Sequence, residues 1–116
     1  TLTEFKRGAN VADVKSRIEE ILNKNKVVLF MKGSAEFPQC GFSARAAAIL
    51  QQLNVPFTTV DVLSDAEIRQ GIKDYGNWPT IPQLYVNKEL VGGSDIMMEM
   101  VESGELQETI TKAFNS

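Results

Sequence analysis

The chain has no histidine at all and a single cysteine among 116 residues. The first absence removes His-based acid–base catalysis and every His-containing metal site. The second forbids an internal disulfide, so a secreted, disulfide-stapled scaffold is excluded and a reducing compartment is expected. Positive charge is not in excess: 12 Lys and Arg are interspersed with 15 Asp and Glu, for a net charge of -3. That balance gives no electrostatic footprint for nucleic acid or a strongly anionic membrane. No apolar run approaches the length that spans a bilayer. Repeats, low-complexity tracts and linkers are also missing, so 43% hydrophobic content over 116 residues suits one packed domain. The chain starts at Thr1 rather than at methionine, which fits a mature or trimmed form whose leader is out of view.

What is present centres on residues 27–43. Val27-Val28-Leu29-Phe30-Met31 is a short apolar run broken by Lys32-Gly33-Ser34, the signature of a strand buried on both faces. After Cys40-Gly41 come Ser43-Ala44-Arg45-Ala46-Ala47-Ala48-Ile49-Leu50, mostly strong helix formers. The only cysteine therefore sits where a loop after a buried strand becomes a helix. A lone cysteine is usually a small buried hydrophobe. At a helix N-terminus, however, free N–H groups and the macrodipole favour a thiolate and lower its pKa below about 8.5. Lys32 adds a second positive charge if the loop folds back.

Elsewhere, residues 1–9 read as a loose N-terminal arm and 10–116 as the domain. Asn10 caps a first helix whose Val14, Ile18, Ile21 and Leu22 fall on one face. The cysteine helix runs to about Leu53 or Asn54. Pro56 opens a second strand over Phe57–Val62. Strand, helix and strand make a βαβ unit with a right-handed crossover. Ser64-Asp65-Ala66-Glu67 matches a capping box for a helix through Ile68 and Ile72. Trp78-Pro79-Thr80-Ile81-Pro82 cannot be helical. Gln83–Val86 and Glu89–Val91 flank Asn87-Lys88 as a hairpin. Ser94 or Asp95 caps a fourth helix, and Glu105–Phe114 forms a last one with Leu106, Ile110 and Phe114 on one side. The fold class is α/β: a central four-stranded mixed sheet with helices on both faces, its ligand site expected at the helix N-terminus after the first strand.

Four segments, Met31-Lys32-Gly33, Pro38-Gln39-Cys40-Gly41-Phe42-Ser43, Trp78-Pro79-Thr80-Ile81-Pro82-Gln83 and Val91-Gly92-Gly93-Ser94-Asp95, stand in the order and spacing of monothiol glutaredoxins of the Cys-Gly-Phe-Ser type. The resemblance spans essentially Asn10 to Ala113. Arg69-Gln70-Gly71-Ile72-Lys73-Asp74-Tyr75 resembles in particular the single-domain members that serve mitochondrial iron–sulfur assembly. The implied fold is thioredoxin-like.

The resemblance implies that Cys40 is both the active thiol and an iron ligand. Ser43 stands where dithiol relatives carry a resolving cysteine, and a hydroxyl cannot take that role. A 2Fe–2S cluster wants four thiolate-type ligands. The family pattern supplies them as two Cys40 and two glutathiones, so the chain is expected as a monomer when empty and a homodimer when cluster-bound. Lys32 is expected to face the sulfur and a glutathione carboxylate; on position alone it is an ordinary strand-end lysine. Arg69 and Lys73 share a helix face, by position a solvated one and by family matching the partner of the glycyl carboxylate. Thr80 and Ile81 precede Pro82, cis in such folds, and are expected to pair with the glutathione backbone; a plain Pro-rich turn is the bland alternative. Gly93 allows close approach, and Ser94 and Asp95 are expected to bind the γ-glutamyl end, a role compatible with capping by Asp95. Position 94 is a cysteine in many relatives, and serine here forbids a disulfide with Cys40. Trp78 walls the site, Phe42 shields the cluster or meets a partner, and Met97, Met98 and Met100 are packing residues.

Two functions follow from this resemblance. One is a carrier that receives a 2Fe–2S unit from an assembly scaffold and passes it to apo-proteins. The other is a glutathione-dependent oxidoreductase that deglutathionylates proteins through Cys40. The longer Gly33–Gln39 loop, compared with dithiol relatives, lowers turnover in the second, so enzymatic activity is expected to be weak at most. A glutathione-binding module with neither activity is the blandest alternative. The mitochondrial matrix is the expected compartment and a bacterial cytoplasm the alternative.

Overall fold

A computed structural model describes the backbone of residues 2–115, with side chains from Asp13 to Asn115. The elements follow the expected order: α1 (Leu2–Lys24), β1 (Val27–Met31), α2 (Gly41–Leu53), β2 (Thr58–Asp61), α3 (Ala66–Gly76), β3 (Gln83–Val86), β4 (Glu89–Gly92), α4 (Ser94–Ser103) and α5 (Glu105–Phe114). The sequence predicts a loose arm over residues 1–9 and a cap at Asn10, but the backbone is helical from Leu2, so Asn10 lies within α1 rather than at its start.

The strands form one sheet in the order β2-β1-β3-β4. β1 runs parallel to β2, with Val28 opposite Thr58 and Met31 opposite Asp61, as a crossover through α2 requires. β1 is antiparallel to β3, Val27 facing Val86, and β3 is antiparallel to β4. Asn87 and Lys88 join that hairpin at φ 52° and 73°, the left-handed pair that a two-residue turn between twisted strands demands.

Every residue of β1 is buried, and its alternation divides the core. Val27, Leu29 and Met31 pack with Ala46, Ala47 and Leu50 of α2 and with Met97, Leu106 and Ile110 of α4 and α5. Val28 and Phe30 face the other way, onto Val14, Ile18 and Leu22 of α1 and Ile68 and Ile72 of α3. Phe30 meets Tyr85 edge-on, with centroids 5.6 Å apart at 78°. Each such large apolar side chain stabilises the fold by roughly 1.5–3 kcal/mol relative to exposure.

Local signals were displaced in four places. The second strand is shorter than 57–62, because only Thr58–Asp61 pair with β1. The cap of α3 is Asp65, not Ser64: its carboxylate accepts the N–H groups of Glu67 and Ile68, both at 3.1 Å, whereas the Ser64 hydroxyl donates to the Asp61 carbonyl at 2.9 Å. Burial raises the Asp65 pKa, but Arg17 and these N–H groups outweigh it and hold the carboxyl below its ordinary value. Gly93, rather than Ser94 or Asp95, occupies the cap of α4. In α5, Ala113 joins Leu106 and Ile110 in the core while Phe114, at the last position of the helix, is 42% exposed.

α1 lies against α3 at its glycine. A Cβ on Gly71 would stand 2.2 Å from Val14 Cγ1. Gly71→Ala sets two effects against each other. Helix propensity alone would stabilise by about 1 kcal/mol, whereas forcing a methyl into a filled contact costs about 1–3 kcal/mol. We expect packing to win, with the urea midpoint falling at unchanged m-value; a raised midpoint would show that the two helices can separate at no cost.

Candidate thiol site

The loop after β1 returns the chain to where the strand ended. Gly33 sits at φ 88°, and a Cβ there would lie 2.5 Å from the Phe37 carbonyl oxygen, so the turn needs glycine. The Asp61 carboxylate, at the end of β2, accepts the N–H groups of Gly33 and Leu63, both at 2.9 Å. The loop then closes on itself. Gln39 N–H donates to the Lys32 carbonyl at 2.9 Å, and Phe37 N–H donates to the Ser34 hydroxyl at 3.0 Å. Phe37 is left 73% exposed at the tip.

Cys40 is thereby delivered to the cap position of α2, in extended conformation (φ -153°, ψ 136°). It is half-buried and unpaired. No side-chain hydrogen bond caps α2, so the helix's first N–H groups act on the sulfur. The thiol is held below its ordinary pKa by the Ser43 N–H first of all; burial opposes this, and the Phe42 N–H, the Ser43 hydroxyl and the Lys32 charge reinforce it. Ser43 is fully buried, and its hydroxyl oxygen also accepts the Lys32 N–H at 3.0 Å. The residue that cannot resolve a disulfide instead ties the strand end to the thiol.

Beside the thiol lies a cleft of about 260 Å³ lined by Phe42, Trp78, Thr80, Ile81, Pro82, Gly93, Ser94, Asp95 and Ile96. The Ile81–Pro82 bond is cis. Opposite it, α4 starts with no side-chain cap; its first intrahelical bond runs from Met97 N–H to the Gly93 carbonyl at 3.0 Å. A Cβ on Gly93 would stand 3.3 Å from the Pro82 carbonyl oxygen and 3.7 Å from Trp78 Nε1. The two walls are therefore close, and Trp78 Nε1 is a buried donor without a partner among the described residues.

Beneath one wall is a fully buried amide, Gln83. Its Nε2 donates to the carbonyls of Trp78 and Thr80, at 3.0 and 3.2 Å. Its Oε1 accepts the Tyr85 hydroxyl at 3.0 Å. Burial, with Tyr75 nearby, pushes the Tyr85 pKa up to about 12, so the hydroxyl keeps its proton and remains a donor.

The structure thus brings Thr80, Ile81, Pro82, Gly93, Ser94 and Asp95 to one cleft and sets Lys32 near Cys40. Arg69 and Lys73 lie on α3 outside the cleft lining, Arg69 exposed and Lys73 half-buried. Lys73 connects to the cleft through its backbone, its carbonyl accepting the Trp78 N–H at 3.0 Å. Sequence reasoning missed three contributors: the hydroxyl of Ser43, the Asp61 clamp and Gln83. The signal for Gln83 was present, as the one amide heading an otherwise apolar strand.

Comparison with known proteins agrees with this geometry. The family model for Glutaredoxin matches residues 27–91. A ycf64-like monothiol glutaredoxin of Synechocystis sp. is 59% identical over 104 residues, covering 90% of this chain and 97% of that protein. Chloroplastic monothiol glutaredoxin-S14 of Arabidopsis thaliana is 48% identical over 116 residues, covering 98% of this chain and 67% of that protein. The solution structure of reduced poplar apo GrxS14 superposes with a TM-score of 0.83 at 48% identity, over 93% of this chain and 99% of that one. The chain belongs to the glutaredoxin family, among its monothiol members, and its fold is thioredoxin-like. These two protein relatives are cyanobacterial and chloroplastic, which gives the mitochondrial expectation no support.

Ser43→Ala keeps the backbone N–H but removes the hydroxyl. The pH midpoint of Cys40 alkylation by iodoacetamide should move upward, toward that of a free thiol, and Lys32→Met should move it in the same direction by a smaller step. An unmoved midpoint in Ser43→Ala would mean that the hydroxyl does nothing to the sulfur.

Proposed function

We propose that this chain is a Cys-Gly-Phe-Ser carrier that holds a 2Fe–2S cluster as cargo between two copies of itself. Each copy contributes Cys40 and one bound glutathione, and each is a monomer when empty. The observation that carries the reading is a thiol whose pKa is lowered at a helix N-terminus beside a peptide-sized cleft, in a chain with no second cysteine and no histidine. Among the described residues, no group of three or more His, Cys, Asp or Glu could hold a metal. This donor set fits one ligand of a cluster and requires the remainder from outside. Ligands that are themselves exchangeable suit transfer from an assembly scaffold to apo-proteins.

Glutathione is the sulfur source we assign to the cleft. Its cysteinyl backbone pairs with Thr80-Ile81 beside Pro82. Its γ-glutamyl carboxylate meets the open N-terminus of α4 at Ser94 and Asp95 across Gly93, and the Asp95 carboxylate takes the amine. Lys32, with Arg69 and Lys73 on the α3 side, answers the glycyl carboxylate and the ligated sulfur. The cyanobacterial and chloroplastic relatives are compatible with the bacterial-cytoplasm alternative, which we therefore prefer to the mitochondrial matrix.

A second reading, glutathione-dependent reduction, is favoured by the lowered Cys40 pKa. There the thiolate attacks the glutathionyl sulfur of a protein disulfide and releases the protein thiolate. A second glutathione thiolate then attacks the mixed disulfide, giving oxidised glutathione and free Cys40.

Anaerobic reconstitution with iron and sulfide separates the two. We expect a coloured dimer that needs both glutathione and Cys40, and that reverts to a colourless monomer in Cys40→Ser. A colourless monomer that still deglutathionylates a test substrate would overturn the carrier and leave the reductase.

A further inference from the structure

We propose that Gln83, held by Tyr85, is a positioning residue that aims the Ile81 N–H into the cleft for the glutathione backbone. The proposal rests on the glutathione reading above and deepens it. Gln83 opens β3 and is fully buried, where an unpaired amide is strongly destabilising. All of its strong bonding capacity is directed at the cleft wall and its support. Trp78 and Thr80 offer carbonyl oxygens, which can only accept, so the amide must turn its NH2 group toward them. The Tyr85 hydroxyl fixes the opposite end by donating to Oε1.

The consequence reaches Ile81 through one peptide plane. In a trans peptide the carbonyl and the following N–H point in opposite directions. A Thr80 carbonyl drawn inward to Gln83 therefore turns the Ile81 N–H outward, away from the amide. Among the described residues this N–H has no backbone acceptor, although Ile81 is only 7% exposed and lines the cleft. A shielded backbone donor without a partner is a group that an extended peptide can pair with. Pro82, which follows, has no N–H to offer, so on that side the donor must come from Ile81.

The test is a 15N amide titration with S-methylglutathione, which leaves Cys40 chemistry out of the measurement, on the wild-type chain, Gln83→Leu and Tyr85→Phe. In the wild type, the Ile81, Ser94 and Asp95 amides should all respond. In Gln83→Leu, affinity should fall about tenfold and the Ile81 response should disappear while those of Ser94 and Asp95 persist at high ligand. A general loss of structure would not single out Ile81 in that way. A folded Gln83→Leu with wild-type affinity and an intact Ile81 response overturns the proposal. If Gln83→Leu does not fold, Tyr85→Phe decides: about a threefold fall with a reduced Ile81 response supports the proposal, and wild-type behaviour overturns it. A wild type with no response at any of the three amides overturns the glutathione reading itself, and this proposal with it.

Discussion

Burial of β1 on both faces is the constraint on which the rest of the molecule depends. Its five residues alternate between two cores, so Val27, Leu29 and Met31 hold α2, α4 and α5 while Val28 and Phe30 hold α1 and α3. Such a strand cannot slip by one residue, because every side chain would exchange cores. Its end is therefore a fixed point. Lys32 and Gly33 emerge there, and Asp61, at the end of the neighbouring strand, grips the Gly33 N–H. The position of Cys40 follows from that fixed point and from the closure of residues 33–39, rather than from a core of its own.

Fold and site were legible to different depths, for physical reasons. Periodicity and breakers located β1, the hairpin and α5, since burial patterns and prolines act over several residues and survive small errors. Caps were less legible because neighbouring residues compete for one set of N–H groups. Ser64 and Asp65 both qualify chemically, and the second was selected by backbone geometry, the first being engaged with the Asp61 carbonyl. At α4 the cap position fell on Gly93, which has no side chain to accept a bond. The cysteine's setting could be read from composition alone. The part played by Ser43 could not, because it depends on a hydroxyl turned inward to Lys32 and the sulfur. Gln83 was hidden for the same reason: its partners lie three and five residues back along the chain, across a cis bond.

The missing caps have a shared meaning. A helix N-terminus without a side-chain cap leaves N–H groups that must find another acceptor. Here both helices that start at the site, α2 and α4, begin that way. Capping α4 with Ser94 or Asp95, as the local sequence suggested, would have satisfied those donors internally and closed the end of the cleft where we propose that a carboxylate binds. At α2 the sulfur itself occupies the capping place, and the free N–H groups lower its pKa. Two departures from ordinary helix design thus coincide with the two ends of one cleft.

This also explains how a chain of net charge -3 can present a site suited to anions. At the sulfur, side-chain charge contributes little: that of Lys32 is the smallest of the influences on Cys40, behind the backbone of Ser43 and Phe42. Backbone dipoles are fixed by the fold, are unaffected by pH and act over the first helical turn only. A site built from them attracts a thiolate and a carboxylate at short range without giving the surface a long-range positive field. For the proposed carrier that distinction matters. The ligand would be held by local geometry rather than by a long-range field, with Phe37 and Phe42 exposed on the same molecule.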